Sequence, residues 1–107
     1  MRYLEQSISV ACDDGHFWTV PGVVFEGYPL GYHYDLTYPD LLVVTQLETG
    51  KKIPGALALE EEQIQAILEL LLMRYPWTVK HIATSPARHL ENLVAQAMSE
   101  TGVLQYI

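Results

Sequence analysis

The stretch from Glu60 to Tyr75, EEEQIQAILELLLMRY, leaves its backbone little choice. Ile64, Ile67, Leu68, Leu71, Leu72 and Tyr75 recur at three- and four-residue intervals, which places them on one face of an α-helix. The strict alternation of a strand fails across the same window. Glu60, Glu61 and Glu62 open the stretch and Arg74 closes it, so each charge sits at the end of the helix dipole that favours it. Pro76 disfavours helical geometry at Tyr75 and supplies the stop. No Ser, Thr, Asp or Asn stands just before the glutamates, so the N-cap is imperfect. Ala66, Leu70 and Met73 project away from the main stripe. They either meet a second helix or a loop, or form a subunit contact, since exposed apolar patches tend to mark contact surfaces. They, or the Tyr-rich segment 27–40, are the candidate interface of a homo-oligomer, most simply a dimer.

Upstream of this helix the pattern changes to strands. Residues 2–12 alternate, with Leu4, Ile8, Val10 and Cys12 on one face, and Gln6 interrupts that face. Asp13-Asp14-Gly15 is a hairpin turn, because Gly accepts positive φ. His16 to Glu26 returns as a second strand, rich in aromatic and β-branched residues. Pro21-Gly22 marks a bulge, a bend or an edge within it. Gly27 to Asp40 reads as a long loop, and Leu41 to Leu47 as a further strand. Lys52-Ile53 begins a short partner strand that Pro54-Gly55 ends.

Downstream, Trp77 to Thr84 reads equally as a strand or an extended connector. Ser85 then Pro86 forms a helix start, with Ser as the cap and Pro in the first turn. Leu90, Leu93, Val94, Ala97, Met98 and Thr101 make a second amphipathic stripe, and Gly102 ends it. Val103 to Ile107 reads as a final short strand. Strands grouped first and helices later predict one α+β domain over residues 1–107. It has an antiparallel sheet of four to five strands and two amphipathic helices packed on one face.

Charge limits the partners. Thirteen acidic residues against six basic ones leave a net charge of −7, which repels nucleic-acid phosphates and anionic membranes. No apolar run approaches the roughly 18 residues needed to span a bilayer, and the first residues lack the apolar centre of a signal peptide. A single cysteine, Cys12, excludes an internal disulfide. A cytoplasmic protein is expected, with no cofactor and no metal.

The chemistry-bearing residues gather between positions 27 and 40: Tyr28, Tyr32, His33, Tyr34, Asp35, Tyr38 and Asp40. Tyrosine supplies rigid amphipathic contact area at small entropic cost. Tyrosine faces beside carboxylates also suit a guanidinium or ammonium group. The plainer alternative is that these rings cover a sheet edge and anchor the loop. His33 and Asp35 resemble a base with its orienting carboxylate. Cys12 precedes two aspartates, which depress thiol reactivity, and Ser85 lacks the glycine elbow of a nucleophile.

Three functional expectations follow. The first is a non-enzymatic binding module that presents residues 27–40 to a protein partner. The second is a receptor for a small, cationic ligand, with a pocket lined by Trp18, Tyr32, Tyr34 and Trp77. The third is a small enzyme using His33 and Asp35.

Overall fold

A computed structural model describes residues 2–102. Five strands form one antiparallel sheet in the order in which the chain makes them: β1 (Tyr3–Ala11), β2 (Phe17–Phe25), β3 (Leu30–Tyr34), β4 (Leu42–Gln46) and β5 (Lys51–Ala58). Three helices follow: α1 (Glu61–Arg74), α2 (Val79–Thr84) and α3 (Ala87–Thr101). The fold is α+β, with the two long helices on one face of the sheet. No helix among the described residues is long and apolar enough to cross a membrane.

The main core follows from the stripe on α1. Ile64, Ile67, Leu68 and Leu71 are buried against Leu30, Tyr32, Leu42, Val44 and Ile53 of the sheet. Val94, Ala97 and Met98 of α3 complete the layer. Glu60 stands at the N-cap without a side-chain hydrogen bond, as the missing Ser, Thr, Asp or Asn implies. The helix ends where Tyr75 turns extended before Pro76. Gly102 takes the left-handed conformation that terminates α3.

A second, smaller core lies on the opposite face, where no helix packs among the described residues. Ile8, Val10 and Val24 form it, with Val20 and Leu47 against them. Its cover is the β1–β2 hairpin itself. Near its base the hairpin pairs with β3, at Val23 with Tyr32 and Val24 with Gly31. Beyond that it leaves β3 while β1 and β2 stay paired to Ala11 and Phe17. Its far end reaches the turn between β4 and β5, where Ala11 N donates to Gly50 O at 2.8 Å. The bend falls at Pro21-Gly22, so the interruption in the sequence is a bend within a continuous strand. A Cβ on Gly22 would lie 2.4 Å from Ile8 Cδ1 and 2.9 Å from the Tyr32 carbonyl oxygen, so no side chain fits there.

Four sequence expectations are corrected. Residues 27–40 are not one loop, because Leu30–Tyr34 is the central strand β3, paired along its whole length with β4. Pro54-Gly55 does not end β5. The strand continues to Ala58 through an irregularity opposite Val44, which absorbs the proline. Residues 77–84 are neither strand nor extended connector but largely the short helix α2, whose cap is Thr78, accepting from the His81 N–H. Ser85 does not cap α3; Pro86 holds that position without a side-chain bond, and the Ser85 hydroxyl meets the Tyr75 hydroxyl instead. The expected strand at 103–107 lies outside the described residues.

The Tyr75 ring organises the connector. It packs edge-on against Trp77 at 5.2 Å, His81 at 6.0 Å and His89 at 5.9 Å, and its hydroxyl donates to the His81 carbonyl. Trp77 itself holds φ of +57°, a left-handed conformation rare for a bulky residue. Its surroundings over-determine it: the ring is fully buried, Nε1 donates to the Leu71 carbonyl at 2.8 Å, and its own carbonyl accepts from Gln46 Nε2 at 3.1 Å.

The closure of the hairpin on Gly50 is open to test. Gly50 has φ of +72°, and a Cβ there would lie 2.6 Å from the Ser9 carbonyl oxygen and 3.0 Å from Ala11 N. Gly50→Ala is expected to lose about 1–3 kcal/mol beyond the loss in Gly27→Ala, since a Cβ on Gly27 meets nothing within 4 Å. Chemical denaturation of both variants checks the difference. Equal losses would mean that the hairpin is not held at Gly50.

Candidate functional site

The bend in the first hairpin opens a cleft where β2 leaves β3. Glu5, Gln6 and Ser7 of β1 form one wall with Pro21, Gly22 and Val23 of β2. Tyr32, His33 and Tyr34 of β3, with Leu42 and the first-turn Glu61 of α1, form the other. The cavity volume is about 610 Å³, within the roughly 300–1,000 Å³ range of small-ligand sites.

Strand alternation assigns each residue of β3 to a face. Tyr32 points to the helices, and its hydroxyl donates to Glu61 Oε2 at 2.7 Å and accepts from Gln65 Nε2 at 2.8 Å. Burial, aided by the Glu61 carboxylate and opposed by the Gln65 amide, pushes the Tyr32 phenol up to about 12. Tyr3 lies edge-on to Tyr32, with centroids 6.1 Å apart, and donates to Glu69 Oε2 at 2.6 Å. Burial and that carboxylate raise its phenol well above the usual range. Both phenols are therefore neutral hydrogen-bonding groups near neutral pH. They fix the carboxylates of Glu61 and Glu69 along α1.

His33 points to the other face, under the hairpin, and is only 2% exposed. Its Nδ1 lies 2.8 Å from the Tyr34 carbonyl oxygen and its Nε2 lies 2.6 Å from Thr45 Oγ1. A carbonyl can only accept, so Nδ1 carries the proton and Nε2 accepts from the Thr45 hydroxyl. Burial holds the imidazole below its usual range, against weaker opposing contributions from the Tyr34 carbonyl and Asp35. Asp35 is also buried, and burial alone would raise its carboxyl. The Lys52 ammonium at 2.9 Å and the N–H groups of Tyr38 and Thr37 outweigh that, so it titrates below the usual carboxylate range.

Tyr32, His33 and Tyr34 thus share one cleft, while the remaining candidates stand apart. Tyr34 is 58% exposed, whereas Tyr32 is buried. Trp18 is exposed on the far part of β2, in register with Val10. Tyr28 packs on Phe25 at 5.1 Å. Asp35 organises the turn after β3 and receives the Tyr38 N–H, while the Tyr38 ring is exposed. Trp77 lies in the core beneath a different groove. Ala66, Leu70 and Met73 line a shallow depression on the outer side of α1 with Glu62, Glu69 and Glu100. Met73 is 78% exposed there, but Leu70 is half-buried and packs on the main core.

Sequence reasoning missed Glu5, Gln6 and Glu61 as parts of this site. One signal was present: Gln6 interrupts the apolar face of β1, and that face borders the cleft at this position. Among the described residues, no group of three or more His, Cys, Asp or Glu side chains is placed to hold a metal ion. No family model, curated protein or solved structure matches the chain.

The two buried groups set a pH dependence. Folding keeps His33 neutral, so below about pH 6.5 the unfolded chain binds a proton that the folded chain refuses, and stability falls. Asp35 stabilises the fold above its unfolded value near 3.8, and that contribution disappears as the pH falls through its lower folded value. His33→Gln is expected to be less stable at pH 8 yet flatter between pH 7 and 5 in urea titrations. A slope equal to that of the unsubstituted protein would show that the imidazole is not held neutral.

Proposed function

We propose that the chain is a non-enzymatic interaction module whose β2–β3 cleft takes a basic side chain of a protein partner. One observation carries the reading: Tyr32, Tyr34, Glu5 and Glu61 line the same cleft. The exposed Tyr34 face beside carboxylates matches a guanidinium or ammonium group through cation–π and charge-assisted contacts. The net charge of −7 draws in a basic partner. Residues 27–40 remain the presenting segment, because β3 ends on Tyr34 and exposed Tyr28 and Tyr38 flank it in the chain. The enzymatic reading through His33 and Asp35 draws less support. Both ring nitrogens of His33 are engaged, and Asp35 serves Lys52 and the following turn. The single cysteine and the acidic balance favour the cytoplasm as the setting.

The second reading, a small cationic ligand, is favoured by the volume of the cleft. One titration separates the two. A fluorescein-labelled tetra-arginine peptide is expected to bind in low salt, and Tyr34→Ala or Glu5→Gln to weaken it about threefold to thirtyfold. Binding that is absent, or unchanged in both variants, would remove the cleft as the site. Argininamide that binds as tightly as the peptide would turn the assignment toward a small molecule.

Homodimerisation through Ala66, Leu70 and Met73 is the remaining proposal. A two-fold interface sets a patch against its own copy, which here also brings Glu62, Glu69 and Glu100 near their copies. If the patch is the interface, Met73→Glu converts the protein to monomers in light scattering after size exclusion. A mass unaffected by the substitution would place any interface elsewhere.

A further inference from the structure

A second concavity lies on the helical side, between β5 and the pair α2–α3, and is separate from the β2–β3 cleft. Its volume is about 490 Å³. Ile53 and Pro54 of β5, Trp77, Ile82 of α2, and Leu90 and Val94 of α3 line it. The floor is rigid. Trp77 is pinned by the Leu71 carbonyl and by Gln46, whose amide also engages Glu48 and Thr49. The lip is light: no residue of α2 is buried, and the Val79 N–H reaches Glu48 Oε1 at 3.3 Å. Left-handed backbone at a bulky residue is a strain that clusters at ligand clamps, and here it lies in the floor of this groove.

Charge at the rim is uneven. Lys51 is the register partner of Gln46, so it shares the helix-facing side of the sheet and lines the groove. Its ammonium makes no ion pair among the described residues. Lys52 points to the opposite face, where Asp35 holds its ammonium. Glu91 stands on the α3 side. The groove therefore offers an apolar trough with a free cation at its strand end and a carboxylate at its helix end.

We infer that this groove is a binding site for an apolar small molecule with one anionic headgroup, of the medium-chain carboxylate class. The chain lies along Ile53, Trp77, Ile82 and Leu90, and Lys51 receives the headgroup on the side away from Glu91. This site is independent of the cleft, and either assignment stands if the other fails.

The test uses Trp18→Phe protein, which leaves Trp77 as the one tryptophan. Decanoate is expected to change Trp77 emission saturably. Lys51→Glu, at an exposed position, should weaken decanoate about tenfold or more while leaving 1-decanol unaffected. Ala83→Phe, also at an exposed position on the lip, should fill the trough and weaken both. Absence of a saturable response overturns the site, as does undiminished decanoate binding in Ala83→Phe. Equal loss of decanoate and decanol in Lys51→Glu, or no loss of either, overturns the headgroup assignment.

Discussion

The hydrogen bond from Ala11 N to Gly50 O holds the first hairpin against the turn between β4 and β5, and the smaller core of Ile8, Val10 and Val24 lies under that closure. A flat five-stranded sheet with helices on one side would leave Ile8, Val10 and Val24 in water. Bending the hairpin across the uncovered face buries them against Leu47. The bend requires that β2 leave β3 after two paired positions. The gap this creates is the cleft. The candidate site is therefore a consequence of how the sheet protects its second face, not a loop feature added to a finished scaffold.

Polar groups are buried on both faces of the sheet. His33 and Thr45 lie on neighbouring strands of the covered face and satisfy each other. Gln46, on the other face, joins β4 to Trp77, Glu48 and Thr49 at once. Among the described residues, no buried side-chain nitrogen or oxygen lacks a hydrogen-bond partner. Such networks stabilise little on balance, but breaking one leaves a buried group unpaired at a cost of about 1–3 kcal/mol. That asymmetry gives His33 and Gln46 defined positions, and it uses up the ring nitrogens that acid–base chemistry would need.

Elements with a strong local period were legible in the sequence. α1 and α3 follow from stripes repeated over several turns, and the hairpin at Asp13-Asp14-Gly15 follows from turn chemistry. The misreadings cluster at glycine and proline. Gly27 to Asp40 carries enough turn residues to hide a strand of five, because β3 is buried on both faces and shows no polar alternation. Pro54-Gly55 looks like an end but sits at an irregularity where the ladder loses little. Residues 77–84 are apolar enough for a strand, yet Trp77 and the Thr78 cap start a helix. Within the candidate site, Tyr32, His33 and Tyr34 stood out by composition. Glu5 and Glu61 did not, since they are 56 positions apart in the chain and each has an ordinary explanation where it stands.

The sequence by itself determined the class of fold, because helical period, strand alternation and turn residues are local properties written every few residues. It also determined the acidic balance, a net charge of −7. Only the tertiary structure decided which face of the sheet the hairpin covers, because that depends on Gly22 and Gly50 being approached by chain distant from them. It decided, too, which carboxylates line the cleft beside the tyrosines of β3. Pairing between strands brings Glu5 to the cleft, and docking of α1 brings Glu61. Neither placement has a sequence period, since both are set by burial of apolar surface elsewhere in the molecule.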